Sequence, residues 1–279
     1  MNVKNLGDTP FETIVTCFLS AFDNYFVKMP EDPAYYHKRW KAARVRFDRS
    51  YGMFDGEKLA GFIINGIDRR NGQLTAFNTG TGVLPEYRGN RIVKAIYDHA
   101  IPDLVKNGIT KCSLEVIKAN EPAVKAYKSV GFAICKGYKC FSGPLTADPR
   151  TEAVLKELRY DELDWDNLPD QDCYSWEHHK NSVREGDYRY FQLLKDGVPR
   201  SYFIINPENG YVAQLGVFNS NKTTWNDLFA AIRSISPTVK INNVDERLSD
   251  KLAHIAAAGP ANTIDQYEME LQPGHSGVL

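Results

Sequence analysis

Between residues 78 and 132 the chain reads Asn-Thr-Gly-Thr-Gly-Val-Leu-Pro-Glu-Tyr-Arg-Gly-Asn-Arg-Ile-Val, then a helical pattern, then Cys-Ser-Leu-Glu-Val-Ile-Lys-Ala-Asn-Glu-Pro-Ala-Val-Lys-Ala-Tyr-Lys-Ser-Val-Gly-Phe. No other stretch constrains the fold as much. It predicts a strand over residues 74–83, a loop opening a helix, a strand over 111–117 and a second helix. Gly80 and Gly82 weaken the first strand, so they mark a bulge or the close approach of a ligand. Pro85 ends that strand. Arg88-Gly89-Asn90 opens the helix, with Ile92, Ile96, Tyr97, Ala100, Leu104 and Val105 on its apolar side and Asn107-Gly108 as its stop. Pro102 should kink it. A helix start directly after a loop presents unpaired N–H groups and the positive end of the macrodipole, which suits a phosphate.

In the second half Asn120 can cap the following helix and Pro122 fits its first turn. Ala123, Tyr127 and Val130 share one face, and Gly131 stops the helix. The same spacing suits Tyr127 as a core tyrosine or as a phenol lining a crevice.

These residues resemble the GCN5-related N-acetyltransferase (GNAT) superfamily. Val83-x-Pro85-x-x-Arg88-Gly89 is similar to its acetyl-coenzyme A pyrophosphate loop. Leu114-Glu115-Val116, Asn120, Ala123, Tyr127 and Gly131-Phe132 are similar to its second signature. The resemblance implies an α/β (α+β) fold: a mixed, splayed sheet flanked by helices, with acetyl-CoA as co-substrate wedged between the strands ending at Val83 and near Ile117. Backbone groups of Gly82 and Val83 would pair with the pantetheine arm. With Arg88, the amides of Gly89, Asn90, Arg91, Ile92 and Val93 would hold the pyrophosphate, and Asn120 would touch the arm near its reactive end. Tyr127 would protonate or steady the departing thiolate, and Glu115 matches a position that serves some relatives as general base. Arg91 and Val93 depart from the family's small residues, which matters only if their side chains point at the ligand. Acyl transfer to an amine has independent uses for a carboxylate and for strand amides facing an oxyanion.

A length of 279 residues suits one large domain or two of ordinary size, and the internal repeat below favours two. The first is expected over residues 1–146. Residues 9–27 form an amphipathic helix capped by Asp8 or Thr9, and 34–45 a second one. Residues 50–54 and 58–64 form a hairpin around Asp55-Gly56. A strand over 132–141 and a linker over 142–149 close the domain.

The second domain, 147–279, begins with the acidic run Glu157, Asp161, Glu162, Asp164, Asp166, Asp170 and Asp172, which is either a solvated surface or a rim for a cationic amine. The first domain's order then repeats. Phe203-Ile204-Ile205-Asn206 echoes Phe62-Ile63-Ile64-Asn65, and Gly216-Val217 echoes Gly82-Val83. Val116 to Gly131 and Val244 to Gly259 both span fifteen residues. In this register Leu248 stands for Asn120 and Ile255 for Tyr127, and a closing strand with Tyr267, Met269 and Leu271 alternating completes the copy. It is therefore expected to have lost the cofactor and to shape the acceptor site.

A net charge of −1 argues against general nucleic-acid binding. No signal-peptide or membrane-spanning run occurs, and five scattered cysteines suit reduced thiols in the cytoplasm. No metal is expected; His178-His179 has no partner at ligand spacing. The reading is an acyltransferase that acetylates a primary amine of a small molecule or peptide by direct attack in a ternary complex. The rival is an acyl-CoA-binding or regulatory protein without turnover. The acceptor and the oligomeric state are left open.

Overall fold

The computed structural model describes residues 1–148 and 153–274. Its chain begins with β1 (Asn2–Asn5), α1 (Phe11–Ala21), α2 (Pro33–Ala42), β2 (Tyr51–Asp55), β3 (Lys58–Arg70) and β4 (Gln73–Val83). Gly56 and Gly72, at φ +59° and +78°, make the two turns that join β2, β3 and β4 into an antiparallel meander. Next come α3 (Ile92–Lys106), β5 (Lys111–Ile117) and α4 (Glu121–Val130). α1 is shorter than the sequence suggests and begins after Pro10, with no side-chain cap from Asp8 or Thr9. The turn-forming Asp23 and Asn24 follow its last residues. α3 begins at Ile92, past the loop expected to open it, and stays helical through Pro102.

β4 carries the feature that shapes the first sheet. Ile64 pairs with Gly80 but Asn65 pairs with Asn78, so Thr79 is an extra, bulged residue. Beyond the bulge β4 leaves its neighbour: β4 and β5 run parallel only from Thr75↔Lys111 to Asn78↔Leu114, and then diverge. The expected splay therefore exists. The two glycines are required from beneath. A Cβ on Gly82 would stand 2.6 Å from Phe62 Cζ and 2.7 Å from Ala21 Cβ, and one on Gly80 would stand 3.0 Å from Phe18 Cε2. Those rings belong to the core under α1 and α2, with Tyr36 and Trp40. α3 and α4 cover the other face through Ile96, Tyr97, Leu104, Val124 and Tyr127.

The chain continues with β6 (Ala133–Pro144), β7 (Val154–Leu158), the one-turn α5 (Lys180–Val183), β8 (Arg189–Lys195), β9 (Val198–Asn206) and β10 (Tyr211–Val217). It ends with α6 (Lys222–Ile235), β11 (Thr238–Asp245), α7 (Ser249–Ala257), β12 (Ala261–Asn262) and β13 (Gln266–Leu271). Two compact units result: Met1–Cys135 with Tyr267–Leu279, and Lys136–Gln266. Within the first unit the strand order is β1-β2-β3-β4-β5-β13, and within the second it is β6-β11-β10-β9-β8-β7, with β12 on the other side of β6.

This division differs from a cut near residue 146. The segment read as a linker is still strand as far as Pro144, and Pro149 lies outside the described residues. The strand read as closing the second copy lies instead beside β5. Met269 is fully buried there with Leu114, Val116 and Tyr127, and Lys111 bonds Glu270 at 2.8 Å. β6 occupies the corresponding place beside β11. Alternation specifies which side chains of a strand face inward, but not which sheet edge receives it.

The internal repeat is otherwise plain. Leu248 occupies the N-cap of α7 as Asn120 does that of α4, and Gly259 and Gly131 end these helices at φ +119° and +110°. Much of the acidic run is paired within its own unit. Glu157 bonds Arg189, Asp166 bonds Lys180, and Asp170 bonds Lys251. No helix among the described residues is long and apolar enough to cross a membrane.

His178 lies inside the second unit, 1% exposed, with Nε2 2.8 Å from the Tyr211 hydroxyl. Burial pushes its pKa down from 6.5 to about 4. The unfolded chain therefore binds a proton that the folded chain refuses. Stability is full above pH 6.5 and falls as the pH drops towards 4. Between pH 7 and pH 5 this one group should remove about 2 kcal/mol. Urea midpoints at the two pH values measure the loss, and His178→Gln should flatten it. An equal slope in the variant would refute the assignment.

Candidate active site

The first unit's splay places two kinds of group at opposite ends of one opening. At one end is the start of α3. Gly89 at φ +81° and Arg91 at +54° turn the chain into the helix, and no side chain caps it. The amides of Ile92, Val93 and Lys94 thus stand at the positive helix end without intrahelical acceptors. Arg91 takes the left-handed conformation open to glycine without strain, at a cost of about 1–2 kcal/mol. Its side chain is exposed, whereas Val93 turns into the core beside Ile96. The loop thus keeps its turn without the small residues. The Arg88 guanidinium donates to the carbonyls of Val83 (3.2 Å) and Ala21 (3.0 Å), tying the end of α1 to the end of β4. Asn90 braces the loop through the Tyr87 carbonyl at 3.1 Å. Gly82 and Val83 are the last two residues of β4, beyond the point where β5 diverges.

At the other end is a cluster of hydroxyls built on the bulge. The Asn78 side chain accepts from the Gly80 amide (2.9 Å) and donates to the Thr81 hydroxyl (2.5 Å) and to the Tyr97 hydroxyl (2.6 Å). Tyr127 approaches the same Thr81 hydroxyl from α4; burial drives its pKa up to about 12, against the opposing effect of that hydroxyl. Tyr97, fully enclosed behind it, is pushed well above its ordinary value by the same burial. Both phenols stay protonated at any working pH. Asn120 caps α4 by accepting from the Ala123 amide at 3.3 Å, and its side chain lies beside Tyr25 from the segment after α1. Glu115 is half-buried on β5, its alternation opposite to Leu114 and Val116, whose side chains enter the core under α3 and α4.

The structure therefore gathers Tyr127, Asn120, Gly82, Val83 and the α3 loop around one opening. Sequence reading passed over Asn78, Thr81 and Tyr25. Thr81, between two glycines, was the one with a visible signal. Tyr25 was hidden inside an overlong helix. Among the described residues one trio, Cys135, Glu268 and Glu270, brings possible metal-ligand atoms within 4.8 Å of one another, but Glu270 is bonded to Lys111.

The second unit repeats the splay and fills it. β10 and β11 pair in parallel only at Tyr211↔Lys240. The Tyr174 hydroxyl donates to the Leu215 carbonyl (2.9 Å) and accepts from its amide (3.3 Å). Lys251 donates to the same carbonyl at 2.7 Å and pairs with Asp170 at 2.7 Å.

Residues 15–132 match the model of the acetyltransferase (GNAT) family. The [ribosomal protein bS18]-alanine N-acetyltransferase of Escherichia coli (strain K12) is 27% identical over 141 residues, 45% of this chain and 89% of that protein. A tandem GNAT protein from the clavulanic acid biosynthesis pathway superposes with a TM-score of 0.70 at 14% identity, over 99% of this chain and all of the other. A GCN5-related N-acetyltransferase from Sphaerobacter thermophilus gives 0.68 at 10% identity, over 98% and 95% of the two chains. The uncapped helix start, the splay and the phenol beside it thus lie in the segment that matches the acetyltransferase (GNAT) family model, within an acyltransferase chain of tandem GNAT fold.

Proposed function

We propose that this chain is an N-acetyltransferase that moves an acetyl group from acetyl-CoA to a primary amine by direct attack in a ternary complex. The observation that carries this reading is the joint placement of uncapped α3 amides and the Tyr127 phenol at the two ends of one splay. The donor supplies a thioester carbonyl activated for attack. The amides of Gly89 to Val93 bind its pyrophosphate, and the peptide groups of Gly82 and Val83 align the pantetheine arm along β4. Amides at the bulge polarise the carbonyl oxygen. Asn120 positions the arm near its reactive end. Glu115 receives the amine proton, directly or through water. Tyr127 keeps its own proton, because about 12 lies far above an ordinary thiol near ~8.5, and steadies the departing sulfur by donating a hydrogen bond.

With Tyr174 and Lys251 filling the opening of the second unit, titration calorimetry should find one acetyl-CoA per chain. Arg88→Ala should weaken that binding about ten-fold, since it releases the end of α1 and the loop together. A thiol-release assay over an amine panel tests turnover. The name of the Escherichia coli relative recommends a peptide α-amine as the first acceptor to try. Binding without release from any amine would favour the regulatory alternative, and absence of binding would end the proposal.

A further inference from the structure

The segment that joins α1 to α2 is held at both ends. The Arg88 guanidinium donates to the Ala21 carbonyl at 3.0 Å, and the Tyr36 hydroxyl donates to the Pro30 carbonyl at 2.7 Å. Between these anchors Asp23, Asn24 and Lys28 are exposed, and so are the apolar Phe26 (54%) and Val27 (45%). Phe22 and Met29 pack on the core beneath α1 and α2. Tyr25 also turns inward and is half-buried. A segment that only covered a core would turn Phe26 and Val27 inward and leave the phenol in water.

The place Tyr25 reaches is on the far side of the sheet. α1 and α2 cover one face of it, and α3 and α4 cover the other. Tyr25 follows α1, yet its phenol lies beside the Asn120 side chain at the start of α4 and within electrostatic reach of Tyr127. The route is the gap left where β4 and β5 diverge beyond Asn78↔Leu114. Aromatic rings lead up to it. Phe18, beneath Gly80, stacks on Phe22 at 4.5 Å, and Phe22 meets the Tyr25 ring edge-on at 4.8 Å. Burial raises the Tyr25 pKa, against the opposing effect of the Asn120 side chain.

A donor arm threaded through that gap needs the same two neighbours, Asn120 along its reactive end and Tyr127 at the departing sulfur. The Asn120 side-chain oxygen already accepts from the Ala123 amide at 3.3 Å, so its amide N–H groups are what it has left to offer. Those groups stand beside the Tyr25 phenol. We propose that Tyr25 occupies the reactive end of the donor path in the free protein and has to swing out for acetyl-CoA to bind. The inference rests on the donor assignment made above. Only molecules with Tyr25 displaced then accept the donor, and the apparent Kd exceeds the intrinsic one by the reciprocal of that fraction. A half-buried ring and one polar contact leave on the order of a tenth of the molecules open.

Titration calorimetry of acetyl-CoA and of CoA into the full chain tests this. Tyr25→Ala should bind both about ten-fold more tightly than wild type. Tyr25→Phe keeps the ring and removes only the hydroxyl beside Asn120, so it should bind them about three-fold more tightly. Phe26→Ala, one residue along and exposed, should match wild type. The sign is the decisive readout, because truncating a residue that supports the site or touches the donor weakens binding. Equal or weaker binding by the two Tyr25 variants would overturn the inference and leave the donor assignment standing. Absence of binding in wild type and variants alike would remove the donor assignment, and this inference with it.

Discussion

Tyr127→Phe should lower kcat by about 10²–10³-fold while leaving the Kd for acetyl-CoA nearly unchanged. The split follows from timing: the phenol is needed as charge develops on the leaving sulfur, so its loss is felt in the transition state and hardly in the ground state. The substitution is otherwise mild. The ring still packs between Tyr97 and Phe132 at centroid distances of 6.5 and 6.0 Å. Thr81 keeps its bond from Asn78, so the fold should lose no more than about 1 kcal/mol. Single-turnover thiol release beside donor titration measures both quantities. A kcat within a few-fold of wild type would reduce Tyr127 to a core residue.

Lys251→Met should be the most damaging single change in the second unit, costing about 3 kcal/mol. Lys251 is 5% exposed, and its ammonium serves Asp170 and the Leu215 carbonyl together. Burial alone would lower its pKa, but the adjoining Tyr174 hydroxyl and the Asp170 carboxylate together outweigh burial and raise it. The stability it contributes is thus complete at neutral pH and is lost only as the pH climbs beyond the ordinary lysine range. Methionine fills the volume but leaves Asp170 and the carbonyl without their cation. Adding Asp170→Asn should recover part of the loss, since the stranded carboxylate is then gone. Chemical denaturation of the two single variants and the double variant gives the coupling. Additive losses would mean that the pair is only a surface contact.

How much of this was legible beforehand depended on range. Asn120 and Gly131 act at their own helix ends through bonds to residues three or four positions away, so the chain names them unaided. The same holds for the turns at Gly56 and Gly72, and for the count that set Leu248 against Asn120. Gly80 and Gly82 were noticed for a sound reason, a bulge, but what demands glycine there is Phe18 and Phe62 pressing from below. That pressure comes from residues about twenty to sixty positions away, and no local pattern shows it. Arg91 is the opposite case. It stands where the resemblance leads one to expect a small residue, yet the backbone holds the left-handed turn and accepts the strain.

By itself the sequence determined the order of elements, their inward faces, the helix start that suits a phosphate, and the phenol and carboxylate carried nearby. These are properties of spacing and short-range hydrogen bonding, set within a few residues. Only the tertiary structure decided that β13 lies beside β5 and β6 beside β11, that Asn78 and Thr81 wire Tyr127 to the bulge, and that Lys251 fills the second splay. The physical reason is the same in each case. Sheet edges are interchangeable to a strand of the right alternation, and a buried polar group takes whichever partner packing brings within reach.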